Sequence, residues 1–292
     1  MTTVAIAATT GSIALIFLAG TQAFPRGRSG GFVAAGWLAL TPLLWRQALQ
    51  APASVIPIPF VVGWLLAIAR GESSGSWWWP GLAGACLGLG VYTSYASLVM
   101  MPTFLVLTII VSIPTHAWPW RSMAVMVAVF AVAAGPIATF LFRHPDLFRH
   151  TVNAFHLYDA NRFNLRQGLH EMVSWVGLTA RSEVYYDYFN PAFLFLTGRV
   201  LLFPMAVLIP AGLLQIVASE ETLLARLSLA GFLAAPLAAS LTAQAPIPAR
   251  ILFITPFAAL VSTYGLKRLL AWWSGTTSFA AESTPLARSR RL

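Results

Sequence analysis

The chain has 292 residues, of which 58% are hydrophobic and 9% charged, against roughly 25% charged in a soluble domain. That balance excludes a soluble globular enzyme and makes the length a measure of membrane spans rather than of domains. The net charge of +9 is spread over loops and the C-terminal tail, which fits a membrane surface and argues against a nucleic-acid partner.

Val4 to Gly20 is the first apolar run, just long enough to span. Pro25 to Gly30 breaks it with Arg26 and Arg28, and Gly31 to Leu44 forms the next helix, ending near Trp45-Arg46-Gln47. Ser54 to Ala69 returns, with Pro57 and Pro59 kinking its start. Arg70 to Ser76 reads as a polar turn and Trp77-Trp78-Trp79-Pro80 as an interfacial anchor. Gly81 to Val91 follows, and its Gly84-x-x-x-Gly88 predicts a close helix–helix contact. The single cysteine, Cys86, lies here and excludes an internal disulfide or a cysteine-based metal site. Met100 to Ser112 and Ser122 to Phe142 are the next spans, the latter with a kink expected at Gly135-Pro136. Arg143 to Tyr188 is the long polar segment. Pro191 to Gln215, Leu223 to Thr242 and Pro248 to Trp273 return to the apolar pattern, and Gly275 to Leu292 is a basic tail.

The expected fold is therefore all-α and polytopic, with about nine transmembrane helices near the ~17–25-residue window and one long external loop. N-terminal transmembrane helices occupy 1–142, the external loop region 143–190, C-terminal transmembrane helices 191–274 and a basic cytoplasmic tail 275–292. Placing the long segment outside puts Arg26, Arg28, Arg70, Arg121, Arg226, Lys267, Arg268 and the tail's Arg288, Arg290 and Arg291 inside. This satisfies the positive-inside rule and implies an integral protein of a bacterial inner (cytoplasmic) membrane, with the loop periplasmic.

The external segment holds Asp146, Asp159, Glu171, Glu183 and Asp187, together with five arginines and the histidines His144, His150, His156 and His170. Such a mixture reads first as a solvated loop with surface ion pairs. No spacing matches a metal site, so neither metal nor cofactor is expected. A catalytic carboxylate needs burial or a partner to tune it, and Asp187, set among aromatic residues, is the best candidate. Arg46 and Arg250 lie near membrane depth. Cations there snorkel or bind, and a guanidinium fork suits phosphate.

Tyr188-Phe189-Asn190-Pro191-x-Phe193-Leu194-Phe195-x-x-Gly198 resembles a motif of GT-C membrane glycosyltransferases, of the dolichyl-phosphate-mannose-protein mannosyltransferase and aminoarabinose-transferase type. Ala192 and Arg199 stand where that family often has acids. Leu40 to Ala48, Leu87 to Tyr95 and Ala245 to Phe257 are similar to further stretches of the family, in the same order. The resemblance, from about Gly36 to Leu266, implies a membrane-lipid partner in the form of a polyprenyl-phosphate sugar. Arg46 and Arg250 would hold its phosphate, with Tyr92, Tyr95, Tyr185, Tyr188 and Asn190 as further substrate-binding residues and Asp187 beside the sugar. It also implies that the N-terminal catalytic acid is missing, because the family carries it in a first external loop and Val4 to Leu18 has no ionisable residue.

Two functions are thus expected: a membrane glycosyltransferase using a polyprenyl-phosphate donor at the outer face, or a catalytically silent GT-C-derived subunit of a larger complex with protein partners. A proton-coupled transporter is less favoured, because no span contains an acid.

Overall fold

The computed structural model describes residues 1–23, 28–115, 118–144, 165–219, 222–242 and 246–274. Among them every regular element is helical. The first half contains α1 (Thr2–Ala23), α2 (Ser29–Leu40), α3 (Pro42–Gln50), α4 (Pro57–Ser74), α5 (Trp78–Gly90), α6 (Tyr95–Thr115) and α7 (Trp120–Arg143). The second contains α8 (Leu165–Val173), α9 (Trp175–Asp187), α10 (Met205–Ser219), α11 (Leu223–Ala234), α12 (Leu237–Ser240) and α13 (Ile254–Trp273). Arg26, Asp146, His150, His156, Asp159 and the tail arginines lie outside the described residues.

Among the described residues, five helical stretches are long and apolar enough to cross a membrane: Thr2–Gln22, Pro52–Ser74, Tyr95–Pro114, Trp120–Leu141 and Leu223–Ser240. The other four expected spans are shorter or more polar. The expected Gly31–Leu44 helix is divided at Thr41, whose backbone is extended ahead of Pro42, as a residue before proline prefers. Proline at the first helical position then starts α3 as a separate helix. The Pro191–Gln215 stretch is divided too: α10 begins only at Met205. Conversely, the polar turn expected from Arg70 is helical to Ser74, where Gly75 caps α4 at φ 63°. Pro57 lies at the start of α4, where its missing N–H is harmless. Helix α7 runs unbroken through Gly135-Pro136.

The bundle is centred on α13, whose residues Ile254 to Gly265 are all buried. Glycine lets α10 approach it: a Cβ on Gly212 would collide with the Val261 carbonyl, and one on Gly265 with the Leu208 carbonyl. With lipid outside, such close packing rather than water exclusion holds helices together. Trp64 of α4, Phe104 of α6 and Phe257 of α13 join these helices, with ring centroids 5.3 to 6.3 Å apart. The expected Gly84/Gly88 contact is present, against Met126, Phe130 and Ala133 of α7. Otherwise α7 faces outward, with Val132 79% exposed.

Cross-ties define two ends. At one, both carboxylate oxygens of Glu72 on α4 accept the N–H of Leu223, at 3.0 and 3.1 Å, where α11 begins. Gly71 lies against Trp118 at the same end. At the other end, the Ile247 N–H donates to the Tyr188 hydroxyl at 3.2 Å and Arg181 Nε to the Leu241 carbonyl at 3.2 Å.

Candidate functional site

The second end gathers most of the residues expected to matter. Helix α3 buries Leu43, Leu44, Gln47 and Ala48 and packs against the short 3-10 turn Pro248–Ile251. The elements carrying Arg46 and Arg250 are therefore neighbours, although two hundred residues of chain separate them. Both arginines are half-buried. Arg250 Nη1 donates to Thr242 Oγ1 at 2.7 Å.

Tyr188 is fully buried, with its ring edge-on to Phe193 at 5.6 Å. Burial raises the pKa of its phenol, against the smaller lowering effects of the Ile247 N–H and the Arg250 charge. Tyr188 is thus a neutral post between the motif and the Arg250 turn. Arg181, which the sequence did not single out, is a second guanidinium here. It donates to Leu241, next to the Thr242 that Arg250 engages. Burial lowers its pKa, and the charge of Glu171 opposes that shift. No sequence signal separated Arg181 from the other arginines of the polar segment.

The remaining expected residues are placed as follows. Tyr185 donates to the Leu233 carbonyl at 2.8 Å and stacks edge-on to Phe189 at 5.3 Å. Burial, with a smaller contribution from Tyr186, raises its pKa. Asn190 Oδ1 accepts the Ala192 N–H at 2.9 Å, fixing the turn into the motif. Tyr92 donates to the Ala133 carbonyl at 2.9 Å and accepts the Ile137 N–H at 3.3 Å, which engages its hydroxyl in α7. Tyr95 opens α6 and is exposed. Asp187 is exposed at the last residue of α9. Among the described residues no group of three metal-ligating side chains occurs.

The motif itself has a physical explanation. Ala192–Thr197 winds as a π-helix, in which the Gly198 N–H reaches back to the Phe193 carbonyl at 2.9 Å. A Cβ on Gly198 would strike that carbonyl and the Phe193 ring, so the wide turn demands glycine. Arg199 follows in the left-handed region, φ 46°, which costs a non-glycine residue roughly 1–2 kcal/mol.

These features define a polytopic helical membrane protein, one end of which carries the buried Tyr188 beside the Arg250 turn. Residues 1–135 match the family model described as dolichyl-phosphate-mannose-protein mannosyltransferase, so over that stretch the chain is GT-C glycosyltransferase-like. The match includes the Leu40–Ala48 and Leu87–Tyr95 stretches and stops before the Tyr188–Gly198 motif and the Arg250 turn. No curated protein and no solved structure matches.

Proposed function

We propose that the chain is a membrane glycosyltransferase-like protein that binds a polyprenyl-phosphate sugar at the end carrying Arg46 and Arg250, on the outer face of a bacterial inner membrane. The observation that carries this reading is the packing of α3 on the Pro248–Ile251 turn, which draws two arginine-bearing elements to one end of the bundle. A guanidinium offers a phosphate two parallel donors. The lipid tail would lie along the apolar helices and the sugar near Tyr95 and Asp187. Tyr92, Tyr185, Tyr188 and Asn190 would shape the site as a scaffold, because their polar atoms bond within the protein. Asp187 would take the proton of the acceptor hydroxyl, and general-base help of that kind is worth roughly 10²–10⁴-fold. The second reading is a catalytically silent subunit of a membrane complex. Ala192 and Arg199, in place of the acids common in the resembled motif, favour it.

The test uses the purified full chain. Radiolabelled polyprenyl phosphate should be retained by the wild type and less by Arg250→Lys, since a fork becomes a point charge. Equal retention by both would remove the phosphate role. Sugar transfer abolished in Asp187→Asn selects the enzyme, whereas lipid retention without transfer selects the silent subunit.

A further inference from the structure

The opposite end of the bundle carries hydrogen-bond donors with no assigned purpose. Arg70, in the last turns of α4, lies with its guanidinium carbon 5.8 Å from the centre of the Trp79 ring. Its Nε is enclosed without an acceptor. Trp118, between α6 and α7, is 5% exposed, and its indole Nε1 is also enclosed without an acceptor. The two belong to one corner. A Cβ built on Gly71 would meet Trp118 Cζ2 at 2.7 Å, Trp118 Cε2 at 3.3 Å and Trp79 Cβ at 3.2 Å. Cε2 is bonded to Nε1, so the donor edge of the indole lies beside Gly71, which Trp79 of the first turn of α5 also approaches. No side chain caps the N–H groups of that turn.

A guanidinium over an indole, an indole N–H and an uncapped helix N-terminus are together the chemistry of an anion site. Glu72, the nearest acid in sequence, is engaged by the Leu223 N–H. The surroundings indicate where the anion comes from. Arg28, Arg121, Arg226, Lys267 and Arg268 lie at this end, and Glu72 is the acid there among the described residues. Trp77 and Trp120 are 76% and 71% exposed beside the corner, as residues of a membrane interface are. Cations next to a bilayer attract anionic lipid.

We propose that the Arg70–Trp79–Trp118 corner binds the phosphate of an anionic phospholipid headgroup from the leaflet at this end. The inference is independent of the donor site, which lies across the membrane. The experiment titrates the detergent-purified full chain with phosphatidylglycerol or phosphatidylcholine and counts bound lipid by native mass spectrometry. Phosphatidylglycerol should be retained preferentially. Arg70→Gln should weaken its retention about tenfold, the effect of a charge-assisted hydrogen bond, and Trp118→Phe about threefold. Arg70→Lys should keep part of the preference, which separates loss of the site from loss of the fold. Inorganic phosphate added in excess should leave phosphatidylglycerol bound, and its displacement would reassign the site to a soluble phosphate. Equal retention of the two lipids by the wild type, or a preference unchanged in both Arg70→Gln and Trp118→Phe, would overturn the proposal.

Discussion

Gly265→Ala is the sharpest test of how the core is held. Helix propensity alone favours alanine over glycine by about 1 kcal/mol. The site opposes it: the new methyl would overlap the Leu208 carbonyl and lie 3.0 Å from the Gly212 nitrogen. Both are backbone atoms of α10, so no side-chain rotation relieves the clash and the two helices must separate. Overpacking of this kind costs roughly 1–3 kcal/mol, and separation also loosens the contact at Gly212. After propensity is credited, a net loss of up to about 2 kcal/mol is expected. Gly36→Ala is the control, because nothing lies within 4 Å of a Cβ there and propensity should raise stability. The assay is thermal unfolding of the detergent-purified chain, followed by loss of the monodisperse chromatographic peak. An unfolding temperature for Gly265→Ala at or above wild type would refute the close approach of α10 and α13.

Glu72→Ala should lower thermal stability by about 0.5–2 kcal/mol, the scale of a lost helix cap, because α11 then starts without its carboxylate. A Glu72→Gln variant as weak as alanine in the same melt would contradict a hydrogen-bonding role. Arg199→Asn should stabilise, since asparagine tolerates the left-handed region, and Arg199→Val should destabilise; the reverse order in thermal melts would exclude the φ of 46°. Tyr185 and Tyr188 have raised pKa values, so their neutral forms contribute stability that is complete below about pH 10. It is lost as pH rises through the folded pKa, and Tyr188→Phe should flatten the alkaline branch of the stability profile. In a Cys86→Ala background, Ala53→Cys should react with an impermeant thiol reagent in intact cells and Ser74→Cys should not. The opposite pattern would reverse the proposed orientation.

Much of the architecture was legible from apolar runs, because a membrane span needs length and little else. Val4–Gly20, Ser122–Phe142 and Leu223–Thr242 were located to within a few residues of α1, α7 and the α11–α12 pair. The Gly84/Gly88 contact was legible for the same reason, since only small residues let backbones meet. What escaped were features decided by partners distant in sequence. Arg70 looks like a loop residue until Trp79 is placed beneath it. Thr41-Pro42 reads as an ordinary helix interior, yet proline sterics split it and make α3 a separate element. At the candidate site, Arg46 and Arg250 stand out in the sequence as cations beside apolar runs, but the neighbourhood of their elements is a tertiary fact. Arg181 had no distinguishing neighbours in sequence. The tyrosines were recognised as a group, and the structure divides them by the backbone atoms to which each hydroxyl bonds.

The bond from Tyr92 has a consequence for biogenesis. Next to Pro136, which has no N–H to give, its hydroxyl bridges Ala133 and Ile137, two residues related as acceptor and donor in the ladder of α7. In hydrocarbon each unpaired backbone group costs several kcal/mol, and Pro136 leaves the Val132 carbonyl of α7 without its intrahelical donor. A polar contact one rung away, at the Ala133 carbonyl and the Ile137 N–H, comes from the turn between α5 and α6, which precedes α7 in the chain. Chain order and chemistry therefore agree: the Tyr92 turn is synthesised before α7 and is available to bind its backbone as α7 packs on α5.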